Sequence, residues 1–408
     1  MTLDFINQVL ENLKENNLYR HLRTITGGQG PWVEIDGKQI LNLCSNNYLG
    51  LASHPEVRKA AAQAAETWGC GSGASRLICG NLRVHELLEE RLASFKGTEA
   101  ALLYGSGYAA NLGIISSLMR PGDYIFSDRL NHASIIDGCR LSKAKIVVFD
   151  HNNMDTLEAK LRLTSTSSNG RSDIRKLIVV DSIFSMDGDL APLPQLVTLA
   201  EKYQAILMVD EAHATGTIGP VGRGAVGYFG LEKHVPLIMG TLSKSLGGYG
   251  AFVAGSRKLI EYLTNTSRSF IFSTALPPTV IASALAALET LEANPSLVTR
   301  LQNNAEYLRN QLTLLGYDTL NSQTHIIPVL VGEATVALEM SRRLLAEGVL
   351  AVAIRPPTVP AGKSRIRVTV MANHSRDDLD FALEAFRKVH MVLDGKVTSS
   401  GTSSRTRG

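Results

Sequence analysis

Several short segments carry residue types that could do chemistry together. In Thr241-Leu242-Ser243-Lys244-Ser245-Leu246-Gly247-Gly248 a lysine sits among hydroxyls, with apolar sequence on both sides. Lysine is seldom buried without a reason, and a buried amine with a lowered pKa can attack a carbonyl carbon. A nucleotide phosphate-binding loop is excluded, because that motif needs glycine directly before the lysine and Ser243 stands there. In Asp210-Glu211-Ala212-His213-Ala214-Thr215-Gly216 an acid is placed to pair with a buried cation, although aspartate in such a position also caps helices. Gly105-Ser106-Gly107-Tyr108-Ala109-Ala110-Asn111 lets the backbone approach a ligand closely and offers helix-start N–H groups to a phosphate. That segment also fits a dinucleotide fingerprint, and a plain tight turn explains it equally well. Asn131-His132-Ala133-Ser134 and Phe184-Ser185-Met186-Asp187-Gly188-Asp189 add a histidine and further hydroxyl and acid groups.

The elements that must position these residues are legible as alternating apolar runs and helical stretches, the mark of a doubly wound α/β sheet. Strands are expected at 101–104, 124–127, 146–149, 177–180, 206–209, 237–240 and 251–254. The last two are joined by a glycine-rich turn with no room for a crossover helix, which predicts one antiparallel strand. Ligands in such sheets bind beyond the carboxyl ends of the strands. Each segment singled out above follows a strand, so all are expected to converge on one site.

One cofactor accounts for the whole set. Pyridoxal phosphate needs a lysine to hold it covalently and an acid against its pyridine nitrogen. It also needs donors around its phosphate and an aromatic group over its ring. Lys244, Asp210, the segment from Gly105 and His132 supply these in turn. A nicotinamide dehydrogenase reading of Gly105 to Ala110 would leave Asp210, His213 and Lys244 without a role.

The chain has 408 residues, 44% hydrophobic and 19% charged, with a formal net charge of +3. That is an ordinary soluble composition of two or three domains, without the basic stripe of a nucleic-acid binder. The weak positive balance suits polyanionic substrates such as phosphates or thioester carriers. Cys44, Cys70, Cys79 and Cys139 form no C-x-x-C pair, which argues against a zinc or redox motif and for a reducing cytoplasm. The N-terminal residues have no signal-peptide pattern. Instead Leu3, Ile6, Leu10 and Leu13 recur at helical spacing, predicting an amphipathic helix docked on the body. No apolar run is long enough to span a bilayer. Beyond residue 291 the pattern predicts a second α/β layer: helices at 297–315, 335–347 and 376–393, and strands at 326–331, 349–354 and 366–370. Segments 164–173 and 396–408 read as a solvated loop and a disordered tail.

These motifs, with S-N-N-Y-L-G (45–50), G-S-G-A-S-R (71–76) and F-S-T-A-L-P-P (272–278), resemble the alpha-oxoamine synthases over nearly the whole chain, from about Tyr19 to Leu393. The resemblance implies a fold-type-I pyridoxal-phosphate transferase, with a large domain on a mostly parallel seven-stranded sheet and a smaller C-terminal α/β domain. Its expected organisation is an N-terminal helix and arm (1–45), a large cofactor-binding domain (46–290), a small domain (291–395) and the tail (396–408). The family joins an amino acid to an acyl thioester with loss of carbon dioxide. The stretch A-I-R-P-P-T-V-P (353–360) is most similar to its alanine-using branch. That branch takes a pimeloyl thioester, on coenzyme A or acyl carrier protein, in biotin biosynthesis. Glycine C-acetyltransferase, serine palmitoyltransferase and 5-aminolevulinate synthase are the alternatives within the family.

By the same resemblance, Lys244 holds the cofactor and moves the alpha proton, while Asp210 pairs with the pyridine nitrogen. His213 and Ser185 lie near the ring hydroxyl, and His132 stacks on the ring and can assist at the attacked carbonyl. Gly107, Tyr108 and Thr241 bind the phosphate, with Thr274 reaching in from a neighbouring subunit. Asn46 and Arg367 are expected at the amino-acid carboxylate, and Arg20, Arg355 and Thr358 along the acyl chain. A homodimer with shared active sites is implied. The contacts of Arg76 stay open.

Overall fold

The computed structural model describes residues 3–166 and 174–400. They group into two compact units. One takes in the chain up to Ser45, Met186–Gly188 and the chain from Leu301 on; the other takes in Asn46–Ser185 and Asp189–Arg300.

The chain opens with helix Phe5–Glu15. An antiparallel hairpin of β1 (Trp32–Ile35) and β2 (Lys38–Asn42) follows. Its Asp36-Gly37 turn has φ of +51° and +74°. Two positive values match the twist of a tight hairpin, which is why Asp-Gly is favoured there.

The larger unit is built on one seven-stranded sheet. In chain order its strands are β3 (Ala100–Tyr104), β4 (Tyr124–Asp128), β5 (Lys145–Phe149), β6 (Lys176–Asp181), β7 (Ile206–Asp210), β8 (Leu237–Thr241) and β9 (Ala251–Gly255). Their spatial order is β3-β9-β8-β7-β6-β4-β5. All neighbouring pairs are parallel except those of β9, which runs antiparallel to both β8 and β3. The single reversed strand expected from the short glycine-rich turn is therefore β9. Central strands are covered on both faces: every residue of β8 and β9, and all of β6 after Lys176, is buried. Such strands read as continuous apolar runs because helices lie on both sides. Each buried Ile, Val or Leu contributes roughly 1.5–3 kcal/mol.

In the smaller unit, β10 (Ile326–Gly332), β13 (Ser364–Thr369) and β12 (Val352–Ile354) form an antiparallel sheet in the order β10-β13-β12. Strand β11 (Val349–Leu350) joins β2 in parallel, which is why the first 45 residues cluster with the C-terminal part of the chain.

Three expectations are corrected. Helix Phe5–Glu15 forms, closed by the Asn16 and Leu18 N–H groups on the carbonyls of Asn12 and Leu13, but none of its residues is buried. Leu3, Phe5, Ile6 and Val9 are exposed while Leu10 and Leu13 are half-buried, so the apolar stripe is only partly covered among the described residues of one chain. The last helix runs from Arg376 to Ser400, seven residues beyond Leu393. Adding residues to an existing helix costs little, because each one added gains a hydrogen bond. Residues 396–400 of the expected tail are thus helical, while 401–408 lie outside the described residues. Likewise helix Met154–Thr166 takes in the start of the expected 164–173 loop, and 167–173 lie outside the described residues. Among the described residues no helix is long and apolar enough to cross a membrane.

An ionic staple fixes the carboxyl end of β4. His151 places Nδ1 3.0 Å from Asp128 and Nε2 2.8 Å from Asp189. Burial alone would lower the imidazole pKa, but the two carboxylates outweigh it and raise it to about 10. A histidine whose folded pKa lies above its unfolded value stabilises most fully below the unfolded value of about 6.5, and the contribution is lost as pH rises through about 10. Wild-type protein is therefore expected to lose more thermal stability between pH 7 and 10.5 than His151→Gln. Melting curves with equal pH slopes for the two would refute the staple.

Candidate active site

The site is assembled at the carboxyl ends of β6, β7 and β8. In the ladder Asp181, the last residue of β6, lies opposite Asp210, the last residue of β7. Both are buried. Asp210 is held on each oxygen: Asn111 Nδ2 donates to Oδ2 at 2.8 Å, and the Ala212 N–H donates to Oδ1 at 2.8 Å. Ser182 binds the Asp210 carbonyl through both its N–H and its hydroxyl, at 2.8 Å each. Asp210 thus offers a fixed carboxylate, with lone pairs left for a cationic N–H.

Lys244 follows β8 in the turn to β9. The Gly247 N–H closes on the Lys244 carbonyl at 2.9 Å. Gly247 has φ of +63°, and a Cβ there would lie 2.3 Å from the Ala52 nitrogen, so only glycine fits. Lys244 Nζ lies 3.0 Å from His213 Nε2, and His213 Nδ1 lies 2.7 Å from the Tyr48 hydroxyl. The Tyr48 hydroxyl donates to Asn46 Oδ1 at 2.9 Å. Since that hydroxyl has one proton and gives it to Asn46, it accepts from His213 Nδ1–H. His213 Nε2 is then the acceptor for the Lys244 amine. This relay of Lys244, His213, Tyr48 and Asn46 orients the amine.

His132 caps helix Ala133–Ser142, its Nδ1 accepting from the Ser134 N–H at 3.2 Å and contacting the Ser134 hydroxyl at 2.7 Å. The Ser134 hydroxyl in turn accepts from Asn111 Nδ2 at 2.9 Å, joining His132 to the group that holds Asp210. Burial lowers the His132 pKa, Asp210 opposes this, and Lys244 adds to the lowering. The ring is therefore neutral, and with Nδ1 accepting, its proton stands on Nε2. The His132 N–H is anchored by Asp181 Oδ2 at 2.7 Å. Burial, and secondarily the charge of Asp210, push the Asp181 carboxyl well above the usual range.

Ser106 caps helix Gly107–Leu118, its hydroxyl accepting the Ala109 N–H at 3.1 Å. The first N–H groups of that helix, at Gly107 and Tyr108, have no intrahelical acceptor and suit an anion. A Cβ on Gly107 would lie 3.9 Å from Met239 Cε, placing this helix start beside the end of β8. Tyr108 is partly exposed, and its hydroxyl donates to Asp137. The Thr241 hydroxyl bonds to the Gly250 carbonyl at 2.9 Å and to Ser243 at 2.7 Å, shaping the turn that carries Lys244. Ser185 is half-buried in the turn after β6. Thr274 is exposed and bridge-paired with Ser75 of the same chain. Arg76 makes a two-pronged bond to Glu89 at 2.9 and 2.8 Å. Glu89 also accepts the Leu103 N–H at 2.9 Å, so Arg76 braces β3 just before Gly105.

The remaining sequence candidates lie in the smaller unit. Arg355 donates to the Asn17 carbonyl, and burial together with the charge of Arg20 holds its pKa below the ordinary arginine value. The Thr358 N–H bonds to the Arg355 carbonyl at 3.1 Å. Arg367 is buried on β13, and its charge, with that of Arg23, opposes the burial that raises the Cys44 thiol to about 11.

The aminotransferase class I and II family matches residues 38–386. An 8-amino-7-oxononanoate synthase of Geobacter sulfurreducens is 53% identical over 386 residues, covering 94% of this chain and 97% of the relative. Its counterpart in Thermoanaerobacter pseudethanolicus is 50% identical over 392 residues, covering 96% and 98%. Among solved structures, a serine palmitoyltransferase of S. paucimobilis with a bound PLP–myriocin aldimine superposes with a TM-score of 0.89 at 32% identity, covering 96% of this chain and 98% of that one. An 8-amino-7-oxononanoate synthase of Francisella tularensis superposes with a TM-score of 0.74 at 28% identity, covering 86% and 98%. The fold class is that of the fold-type-I pyridoxal-phosphate transferases. The chain belongs to the aminotransferase class I and II family, within the group that holds the 8-amino-7-oxononanoate synthases.

Proposed function

We propose that the protein uses pyridoxal 5'-phosphate to condense L-alanine with a pimeloyl thioester, yielding 8-amino-7-oxononanoate, carbon dioxide and free thiol, as a step of biotin biosynthesis. The observation that carries this reading is the Lys244 amine 3.0 Å from His213, with buried Asp210 on the neighbouring strand, in a chain half identical to synthases of that name.

The residues present fit the cofactor. Lys244 is the amine that holds it, and Asp210 is a carboxylate braced to receive a ring N–H. Gly107 and Tyr108 offer backbone donors to the phosphate, with Thr241 at the same end. Asn111 Oδ1, on the side chain that braces Asp210, is buried without a protein partner, which leaves polar capacity for a ligand. When bound, pyridoxal phosphate supplies a ring that takes up negative charge developing at the alpha carbon of the amino acid. His213 aims the Lys244 amine, which takes the alpha proton and later returns it. His132, neutral and with its proton on Nε2, donates to the thioester carbonyl oxygen under attack. Ser185 is assigned to the ring hydroxyl. Asn46 and Arg367 are proposed for the amino-acid carboxylate, and Arg20, Arg355 and Thr358 for the acyl chain, on the motif match.

A homodimer is proposed, with Thr274 serving the partner's phosphate site. Leu77, Ile78 and Phe272 are exposed in one chain and flank the Ser75–Thr274 bridge, a surface that a second copy would cover. Free Cys44, Cys70, Cys79 and Cys139 support a reducing cytoplasmic location.

Purified holoenzyme supplied with alanine, glycine or serine and with pimeloyl-, acetyl- or palmitoyl-coenzyme A tests the substrate. Alanine with the pimeloyl thioester is expected to give the highest kcat/KM. A preference for glycine or serine would overturn the assignment in favour of a sister activity. Pimeloyl-acyl carrier protein in a parallel arm identifies the carrier.

A further inference from the structure

Behind the Asp210–His213 turn lies a buried ion pair that the chemistry above does not use. Lys96 ends helix Arg83–Lys96 and is 2% exposed, while Glu211 is 0% exposed. Lys96 Nζ donates to the Glu211 carboxylate, to Thr215 Oγ1 at 2.8 Å and to the Arg223 carbonyl at 2.6 Å. An ammonium has three protons, and all three are used. The second Glu211 oxygen accepts the Val226 N–H at 2.7 Å.

Glu211 sits between the two groups that matter most in the site. Asp210 precedes it and His213 follows two residues later. Its N–H bonds to the Met239 carbonyl on β8 at 2.7 Å, and its carbonyl accepts from Ala214 and Thr215 at 3.0 and 2.9 Å. The surrounding chain is shaped around the carboxylate. A Cβ on Gly224 would lie 2.1 Å from Glu211 Oε2, and Gly224 has φ of +105°.

For stability alone, an apolar pair of similar volume would serve as well or better, because two charges must be stripped of water. What the ions add is direction. Lys96 ties the side chain of Glu211 to Thr215 within the turn and to the chain at Arg223. Burial lowers the Lys96 pKa and Glu211 opposes the shift, so the buried ammonium depends on that carboxylate.

We propose that Lys96 and Glu211 are positioning residues, holding the 210–215 turn so that the Asp210 carboxylate and the His213 imidazole keep their spacing to the cofactor and to Lys244. The proposal rests on the reading of the site given above.

The test uses holoenzyme of wild type and of the double variant Lys96→Met/Glu211→Gln, which leaves no uncompensated buried charge. The double variant is expected to melt within a few degrees of wild type. Its kcat should fall roughly tenfold with KM for alanine nearly unchanged, as for groups acting only in the transition state. The pH midpoint of its cofactor absorbance should move by about half a unit or more. A wild-type kcat and absorbance titration in the double variant overturns the proposal and leaves the pair a structural role. Thr215→Val keeps both charges and removes one acceptor. A smaller absorbance shift of the same sign is expected, and a wild-type titration there overturns the proposal even where the double variant does not fold. A wild-type protein that takes up no pyridoxal phosphate would instead refute the reading of the site itself, a separate result.

Discussion

Lys244→Ala is expected to lower kcat by about 10⁴ or more, at or beyond the upper end of what a positioned proton-transfer group contributes, because this residue has two tasks. It supplies the amine to which the cofactor attaches, and it is the group that takes the alpha proton. The buried Lys96 cannot replace it, being committed to Glu211, Thr215 and Arg223. His213, 3.0 Å from the missing amine, would keep its bond to Tyr48 but have nothing to orient. Borohydride reduction followed by intact-mass measurement gives an independent readout. Wild-type protein should gain the mass of one reduced cofactor per chain, and Lys244→Ala should gain none. Adduct formation in the variant, or turnover within tenfold of wild type, would remove Lys244 from the centre of the mechanism. Melting temperature is expected to change little, since the side chain is only partly buried.

What could be read from the sequence, and what could not, divides along the range of the interactions. The seven strands of the main sheet were legible because central strands must be apolar on both faces, as in Leu177 to Val180 and Leu237 to Met239. Lys244, Asp210, His213 and His132 were legible as polar residues directly after such runs, where ligands of open sheets bind. Asp181 was missed. Its importance depends on a register that sets it opposite Asp210, which no local pattern encodes. A signal did exist, since V-V-D at 179–181 and M-V-D at 208–210 are the same apolar-run-then-acid ending on neighbouring strands. Tyr48 and Asn111 escaped because they act on His213 and Asp210 from distant segments, through bonds of 2.7 and 2.8 Å that no local pattern specifies. Periodicity found the N-terminal helix, yet it could not say what covers the helix's apolar face, because an amphipathic pattern encodes a face and not its partner.

Asp210→Asn is the second large effect, expected to reduce kcat by roughly 10²–10³, the range for removing one preorganised electrostatic group. The amide is nearly isosteric with the carboxylate, so the loss comes from charge and from donor placement. Both Asp210 oxygens now accept N–H bonds, one from Asn111 and one from Ala212. An amide has one acceptor oxygen, so its NH₂ must face one of those donors or turn toward the ring nitrogen. Either way the fixed negative charge that stabilises a protonated ring is gone. The neighbours respond as well. Asp181, raised by burial and by the charge of Asp210, loses the second of these pressures and ionises more readily. His132 loses the negative charge that supports its protonated form, so its pKa falls further and the ring stays neutral. The variant should therefore keep His132 competent as a donor while losing the electron-withdrawing character of the ring. Steady-state kinetics at saturating alanine, combined with the pH dependence of the cofactor absorbance, separates these two effects. A near-normal kcat with an unaltered absorbance titration would show that the pyridine nitrogen does not face Asp210.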